Sequence, residues 1–145
     1  MKLLVINGPN INLLGRREPA IYGSGDYAAL IAGIEEFAQA NGVSADTFQS
    51  NSEGALIDKI QSAKSRYDGI IINPGAYTHY SIAILDALKC CGLPAVEVHL
   101  SHIAAREEFR QKSVTAQGCA GQISGFGFDS YYLALTALIG ILKKR

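Results

Sequence analysis

Short, dense apolar runs alternate along the chain with longer stretches whose apolar positions recur every three or four residues. The run Lys2–Asn7 (KLLVIN) has the length and density of a buried strand. Residues 27–39 carry Leu30, Ile31, Ile34, Phe37 and Ala38, which is helical spacing; Asp26 suits the start and Gly42 the stop. Residues 43–49 read as a second strand. Ser50 and Glu53 have capping-box spacing and predict a helix with Leu56, Ile57 and Ile60 on one face. Gly69–Asn73 (GIIIN) is apolar without interruption, the mark of a strand buried on both faces. Residues 81–91 predict a helix ended by Gly92 and Pro94, and residues 95–100 (AVEVHL) a fourth strand. A short helix over 105–111 and a weak fifth strand at Gly121–Ser124 follow. The last helix is expected to be capped by Asp129 and to run through Leu133, Leu138 and Ile141 to a basic tail that suits its negative dipole end.

Five strands alternating with helices predict a doubly wound α/β domain over residues 1–145, with a parallel sheet in the flavodoxin-like order 2-1-3-4-5 and helices on both faces. The 145 residues are 48% hydrophobic and 18% charged, too apolar for disorder. Thirteen basic residues balance thirteen acidic ones, which argues against a nucleic-acid partner. No apolar run approaches the roughly 20 residues of a membrane span, and residues 3–6 are too short for a signal peptide. Cys90, Cys91 and Cys119 fit neither a disulfide framework nor zinc spacing. Free thiols in a reducing cytoplasm, with no structural metal, are therefore expected.

Ligands of open α/β sheets bind beyond the strands' carboxyl ends, where strand order reverses. Here those ends read Asn7-Gly8-Pro9-Asn10, Asn73-Pro74-Gly75 and His99-Leu100-Ser101. Each alone is ordinary turn composition; their convergence on one edge points to a site. On the fourth strand, period-two alternation sets Glu97 and His99 on one face and Val96 and Val98 on the other. A Glu within a central strand is costly unless paired, and a carboxylate beside an imidazole favours the protonated ring, as a general acid requires. A purely structural Glu–His pair gives the same pattern. Residues 14–25 (LGRREPAIYGSG) read as a lid. If this loop folds back, Arg17 favours the phenolate of Tyr22 and makes it a base; otherwise the loop is a solvated basic segment whose tyrosine merely packs. Arg106 and Arg110, four apart, are expected on one helical face, as surface charge or as a clamp on a carboxylate. His79 reads as a water-exposed histidine near a helix start or as a ligand donor. His102 is out of phase with His99 and receives no role.

The motifs NGPNINLLGRREPAIYG, QSNSEG, INPGAYTH, EVHLS and AREEFRQKS, in this order, resemble the type II 3-dehydroquinate dehydratases over nearly the whole chain. The resemblance implies loss of water from 3-dehydroquinate to give 3-dehydroshikimate by acid–base chemistry through an enolate, a step of the shikimate pathway shared with quinate breakdown. It implies no cofactor, metal or imine, a cytoplasmic enzyme, and a homo-dodecamer of four trimers. Carried over by position, Tyr22 matches the base, His99 the acid and Arg17 the residue that keeps the base ionised. Asn10 matches the group holding a water at the enolate oxygen, and Glu97 the acid that orients the histidine. Asn73, His79, Leu100, Ser101 and Arg110 match substrate-binding positions. Asp86 matches a binding aspartate that completes a neighbouring subunit's site. Two places depart from the family pattern, the His102-Ile103-Ala104 stretch and Leu85. The rival readings fit less well. NGPNINLLG is not the Ser/Thr-rich phosphate loop of an FMN binder, and the strand ends carry asparagines where a receiver domain has acids. The imine-forming dehydratase route needs a lysine at a strand end, and none is expected there.

Overall fold

Alternation within each central strand sorts its side chains between two cores. The computed structural model describes residues 1–16, 18–22 and 25–145, without the side chains of residues 19 and 22. Its strands are β1 (Lys2–Asn7), β2 (Ser44–Gln49), β3 (Gly69–Asn73), β4 (Ala95–His99) and β5 (Gly121–Ser124). They form one parallel sheet in the order β2-β1-β3-β4-β5, so the fold is flavodoxin-like, as the sequence predicts. Leu3, Val5, Ile71, Val96 and Val98 face one way. They pack on α2 (Tyr27–Ala40) and α6 (Asp129–Leu142) through Leu30, Ile34, Tyr131, Leu135 and Leu138. Leu4, Ile6, Ile70, Ile72 and Ala95 face the other way, onto α3 (Glu53–Ala63) and α4 (Ile82–Cys91) through Leu56, Ile60, Ile84 and Leu88. Each fully buried Leu or Ile contributes about 1.5–3 kcal/mol relative to exposure. β1 and β3, buried on both faces, hold the centre.

Local chemistry sets the helix ends. Asp26 accepts from Ala29 N–H at the start of α2, as predicted. The expected Ser50 cap is shifted by two residues. Ser52, directly before Glu53, accepts from Ala55 N–H, while Ser50 Oγ takes the Ser52 N–H in the turn. Ser81 caps α4 by accepting from Ile84 N–H, and Gly92 closes that helix at φ 70°. Asp129 is not the cap of α6. It sits inside the first turn after Phe128, where its charge still suits the positive dipole end.

The expected helix over 105–111 is instead two pieces, a 3₁₀ turn (Ile103–Ala105) and a single turn, α5 (Glu108–Gln111). Arg106 between them is extended, so Arg106 and Arg110 do not share a helical face. Two turns of helix without neighbours are marginal, and here the Gln111 side chain takes the Arg106 carbonyl that a continuous helix would have used. Within the expected lid, α1 (Pro19–Tyr22) forms one helical turn. Arg17, Gly23 and Ser24 lie outside the described residues. No helix of the described residues is long and apolar enough to cross a membrane.

Candidate active site

Strand order reverses at β1, which has β2 on one side and β3 on the other. A cleft of about 160 Å³ opens there, at the carboxyl ends of β1, β3 and β4. Its walls carry Asn10 and Leu14 after β1, Asn73 at the end of β3, His79, His99 at the end of β4, Leu100, and the two arginines, Arg106 and Arg110. The turns after β1 and β3 pack tightly. A Cβ on Gly8 would stand 2.4 Å from the Pro74 carbonyl oxygen, and Gly75 has φ 61° beside Pro9, so neither glycine can be replaced without displacing backbone. Asn10 is itself left-handed at φ 68°, a conformation asparagine tolerates better than most residues. Its N–H is held by Asn51 Oδ1 at 3.1 Å.

The alternation read from the fourth strand holds. Val96 and Val98 enter the α6-side core, and Glu97 and His99 point to the other face. Glu97 is fully buried, and its Oε1 is 2.7 Å from His99 Nε2, which leaves the other ring nitrogen for the cleft. Oε1 also accepts from Thr78 Oγ1 at 2.7 Å, Ser113 Oγ at 2.6 Å and Gln122 Nε2 at 2.9 Å, while Oε2 accepts from Thr115 Oγ1 at 2.5 Å. Gln122 lies directly across from Glu97 in the β4–β5 register. Burial is the largest influence on this carboxyl and pushes its pKa up. The bond to His99, the charge of its ring, and the hydroxyls of Ser113 and Thr115 together outweigh it and bring the value down to about 2. The carboxylate is therefore ionised at neutral pH and anchors the imidazole in orientation. Burial, helped by the Glu97 charge, pushes the nearby Cys119 thiol up to about 12, so it stays protonated.

The remaining polar groups come from loops. His79 Nδ1 donates to the Lys112 carbonyl at 2.9 Å, so its Nε2 is the nitrogen free to meet a ligand. His79 lines the cleft. Glu107 braces both arginines. Its Oε2 is 3.6 Å from Arg106 Nε and 3.3 Å from Arg110 Nε, and the Arg110 guanidinium also lies over the Phe109 ring at 5.0 Å. Asn73 uses both ends of its amide: Nδ2 donates to the Tyr131 hydroxyl at 2.9 Å, and Oδ1 accepts from Gly75 N–H at 3.1 Å.

Asn10, Asn73, His79, His99, Leu100 and Arg110 thus converge on one cleft, with Glu97 directly behind His99. Ser101 is buried next door, in a shallower hollow shared with Ile21 and Arg106. Asp86 stands apart, exposed on α4 and outside the cleft walls. The proposed Arg17–Tyr22 contact lies outside the described residues and side chains. Sequence reading missed Thr78, Ser113, Thr115 and Gln122 around Glu97, Glu107 between the arginines, and Tyr131 behind Asn73. Ser113 and Thr115 lie in and just beyond the AREEFRQKS motif, but nothing local says that their hydroxyls meet one carboxylate.

The model of the family described as dehydroquinase class II matches residues 1–139. The chain is 56% identical over 144 residues to a 3-dehydroquinate dehydratase of Clostridium acetobutylicum, covering 99% of this chain and 100% of that one. It is 58% identical over 145 residues to one from Carboxydothermus hydrogenoformans, covering 100% of this chain and 94% of that one. A crystal structure of type II dehydroquinase from Butyrivibrio crossotus is 51% identical, with TM-score 0.94, over 96% of this chain and 97% of that one. A cleft of this composition at the reversal of a five-stranded sheet, together with matches along nearly the full length, establishes that the chain belongs to the class II dehydroquinase family.

Proposed function

We propose that the chain, as a single domain, dehydrates 3-dehydroquinate to 3-dehydroshikimate within the shikimate pathway. The observation that carries this reading is the buried Glu97 carboxylate with five donors, holding His99 at the cleft wall. An imidazole beside a fixed anion is suited to hold a proton and release it to a departing hydroxyl. The substrate is a ring carboxylate bearing several hydroxyls. Arg110 and Arg106 supply positive charge for its carboxylate. Asn73, His79 and the Leu100–Ser101 turn supply hydrogen-bonding groups.

In this mechanism, Tyr22 as phenolate removes the C2 proton, and the electrons move into the C3 carbonyl to form an enolate. Arg17 keeps the phenol ionised. Asn10 holds a water against the enolate oxygen, and one well-placed donor of this kind is worth on the order of 3 kcal/mol. Collapse of the enolate expels the C1 hydroxyl, which takes its proton from His99 and leaves as water. No metal, cofactor or imine takes part. Among the described residues no lysine lines the cleft, which supports acid–base elimination over the imine route. We further propose a cytoplasmic homo-dodecamer of four trimers, in which the outward-facing Asp86 completes a neighbouring subunit's site.

The test is direct. Purified protein mixed with 3-dehydroquinate is expected to generate the ultraviolet absorbance of a conjugated enone, and no absorbance change would refute the reading. Tyr22→Phe and His99→Ala are each expected to lower kcat by about 10²–10⁴, with the far-ultraviolet circular dichroism unchanged. Borohydride with substrate is expected to leave activity intact.

A further inference from the structure

Asn7 and Asn73 are register partners at the ends of the adjacent strands β1 and β3. Period two puts both on the α6 side, where every neighbouring position of these strands is apolar. Tyr131, fully buried on α6, reaches between them. Its hydroxyl accepts from Asn73 Nδ2 at 2.9 Å and donates to Asn7 Oδ1 at 2.7 Å. Burial pushes this phenol's pKa well above its ordinary value, so it remains a donor at any working pH. Stability does not account for the trio. Replacing hydrogen-bonded partners together by apolar groups of the same shape is close to neutral, whereas a buried donor left unpaired is costly. Asn7 Nδ2 is buried without a hydrogen bond of good geometry, and the nearby oxygen it faces is the Tyr27 hydroxyl of α2.

We infer that Tyr131 is a positioning residue for the substrate-binding amide of Asn73, acting through a relay that runs from Asn7 to the cleft. The inference rests on the dehydratase reading above. Gly75 N–H fixes the oxygen of the Asn73 amide and the Tyr131 hydroxyl fixes its nitrogen, so the amide plane has two anchors. The second Nδ2 hydrogen stays available to a ligand hydroxyl or carboxylate. The Tyr131 hydroxyl is free to accept because Asn7 takes its proton. Without the hydroxyl, the Asn73 amide keeps one anchor and swings. With the hydroxyl present but Asn7 absent, the phenol proton competes with Gly75 N–H for Asn73 Oδ1. Either change weakens the contact in ground state and transition state alike, so KM carries the effect.

The experiment is a double-mutant cycle on the full-length protein with 3-dehydroquinate. Tyr131→Phe is expected to raise KM about three- to tenfold, the effect of one net hydrogen bond, with kcat within about twofold. Asn7→Leu is expected to do the same, although Asn7 does not line the cleft. In an Asn73→Ala background both effects are expected to vanish, because the relay then has no amide to orient. Asn7→Leu alone decides the matter if Tyr131→Phe does not fold. Wild-type turnover with an unchanged KM in the folded variants, or with effects that simply add to that of Asn73→Ala, overturns the relay and leaves the dehydratase reading standing. Absence of wild-type turnover overturns both.

Discussion

Glu97 shows how one side chain makes a demand that the surrounding sequence meets. A carboxylate in mid-sheet is tolerated only with partners, and the chain supplies five, four of them from three segments besides its own strand neighbour His99. The pairing with His99 was legible, because two-residue periodicity is a local property of one strand. The hydroxyl cage was not, since Thr78, Ser113, Thr115 and Gln122 meet only after the crossovers have formed. The acid response follows from the depressed pKa. The folded-state value of about 2 lies below the ordinary 4.5, so this group contributes stability above roughly pH 4.5 that is lost as pH falls towards 2. The contribution is on the order of 3 kcal/mol. Denaturant unfolding across pH 6 to 2 is expected to show the loss in the wild type. In Glu97→Gln the slope is expected to be shallower, from a lower stability at neutral pH. Equal slopes would mean that the cage does not hold the charge.

Among the elements, strands and long helices were read nearly to the residue because their apolar periods extend over several turns or pairs. Short elements were misread, because pattern and capping signals overlap there. Ser50 and Ser52 both look like caps, and only backbone geometry separates them. The 105–111 segment has helical composition but breaks at Arg106, where its carbonyl bonds to a side chain. The cap of α4 is a further joint between elements. Ser81 Oγ, buried, accepts from Ile84 N–H and donates to Glu53 Oε1 at 2.5 Å, linking α4 to the first turn of α3. Ser81→Ala is expected to cost about 1–2 kcal/mol in chemical denaturation, at the upper end for a helix cap because the Glu53 partner is lost as well. A cost below about 0.3 kcal/mol would mean that the link carries no energy.

For the whole molecule, both sheet faces contribute to the cleft, His99 from the α4 side and Asn73 from the α6 side. The architecture and the position of the cleft were legible, because alternating strands and helices predict a doubly wound parallel sheet, the flavodoxin-like order is the first choice among such sheets, and the ligand edge follows from that order. The proposed assembly rests on resemblance alone. Exposed Tyr80, Ile82 and Phe109, at 62%, 64% and 67%, cluster in sequence around the segments that bear His79, Asp86 and Arg110, as subunit contacts near a shared site would. Sedimentation is expected to give a mass near twelve times the 15.5 kDa chain. Asp86→Ala is expected to raise KM severalfold. A monomer with full activity would separate the chemistry from the assembly.

A parallel sheet gives the molecule a front and a back. The cleft opens at the front, where the strands end. The back is made of the turns that lead into them, and there Gly42 and Gly92, at φ 71° and 70°, have open space where a side chain would stand. That rear rim is consequently where a passenger peptide or a new pair of chain ends can be grafted, with the full depth of the sheet between the graft and the reacting ring.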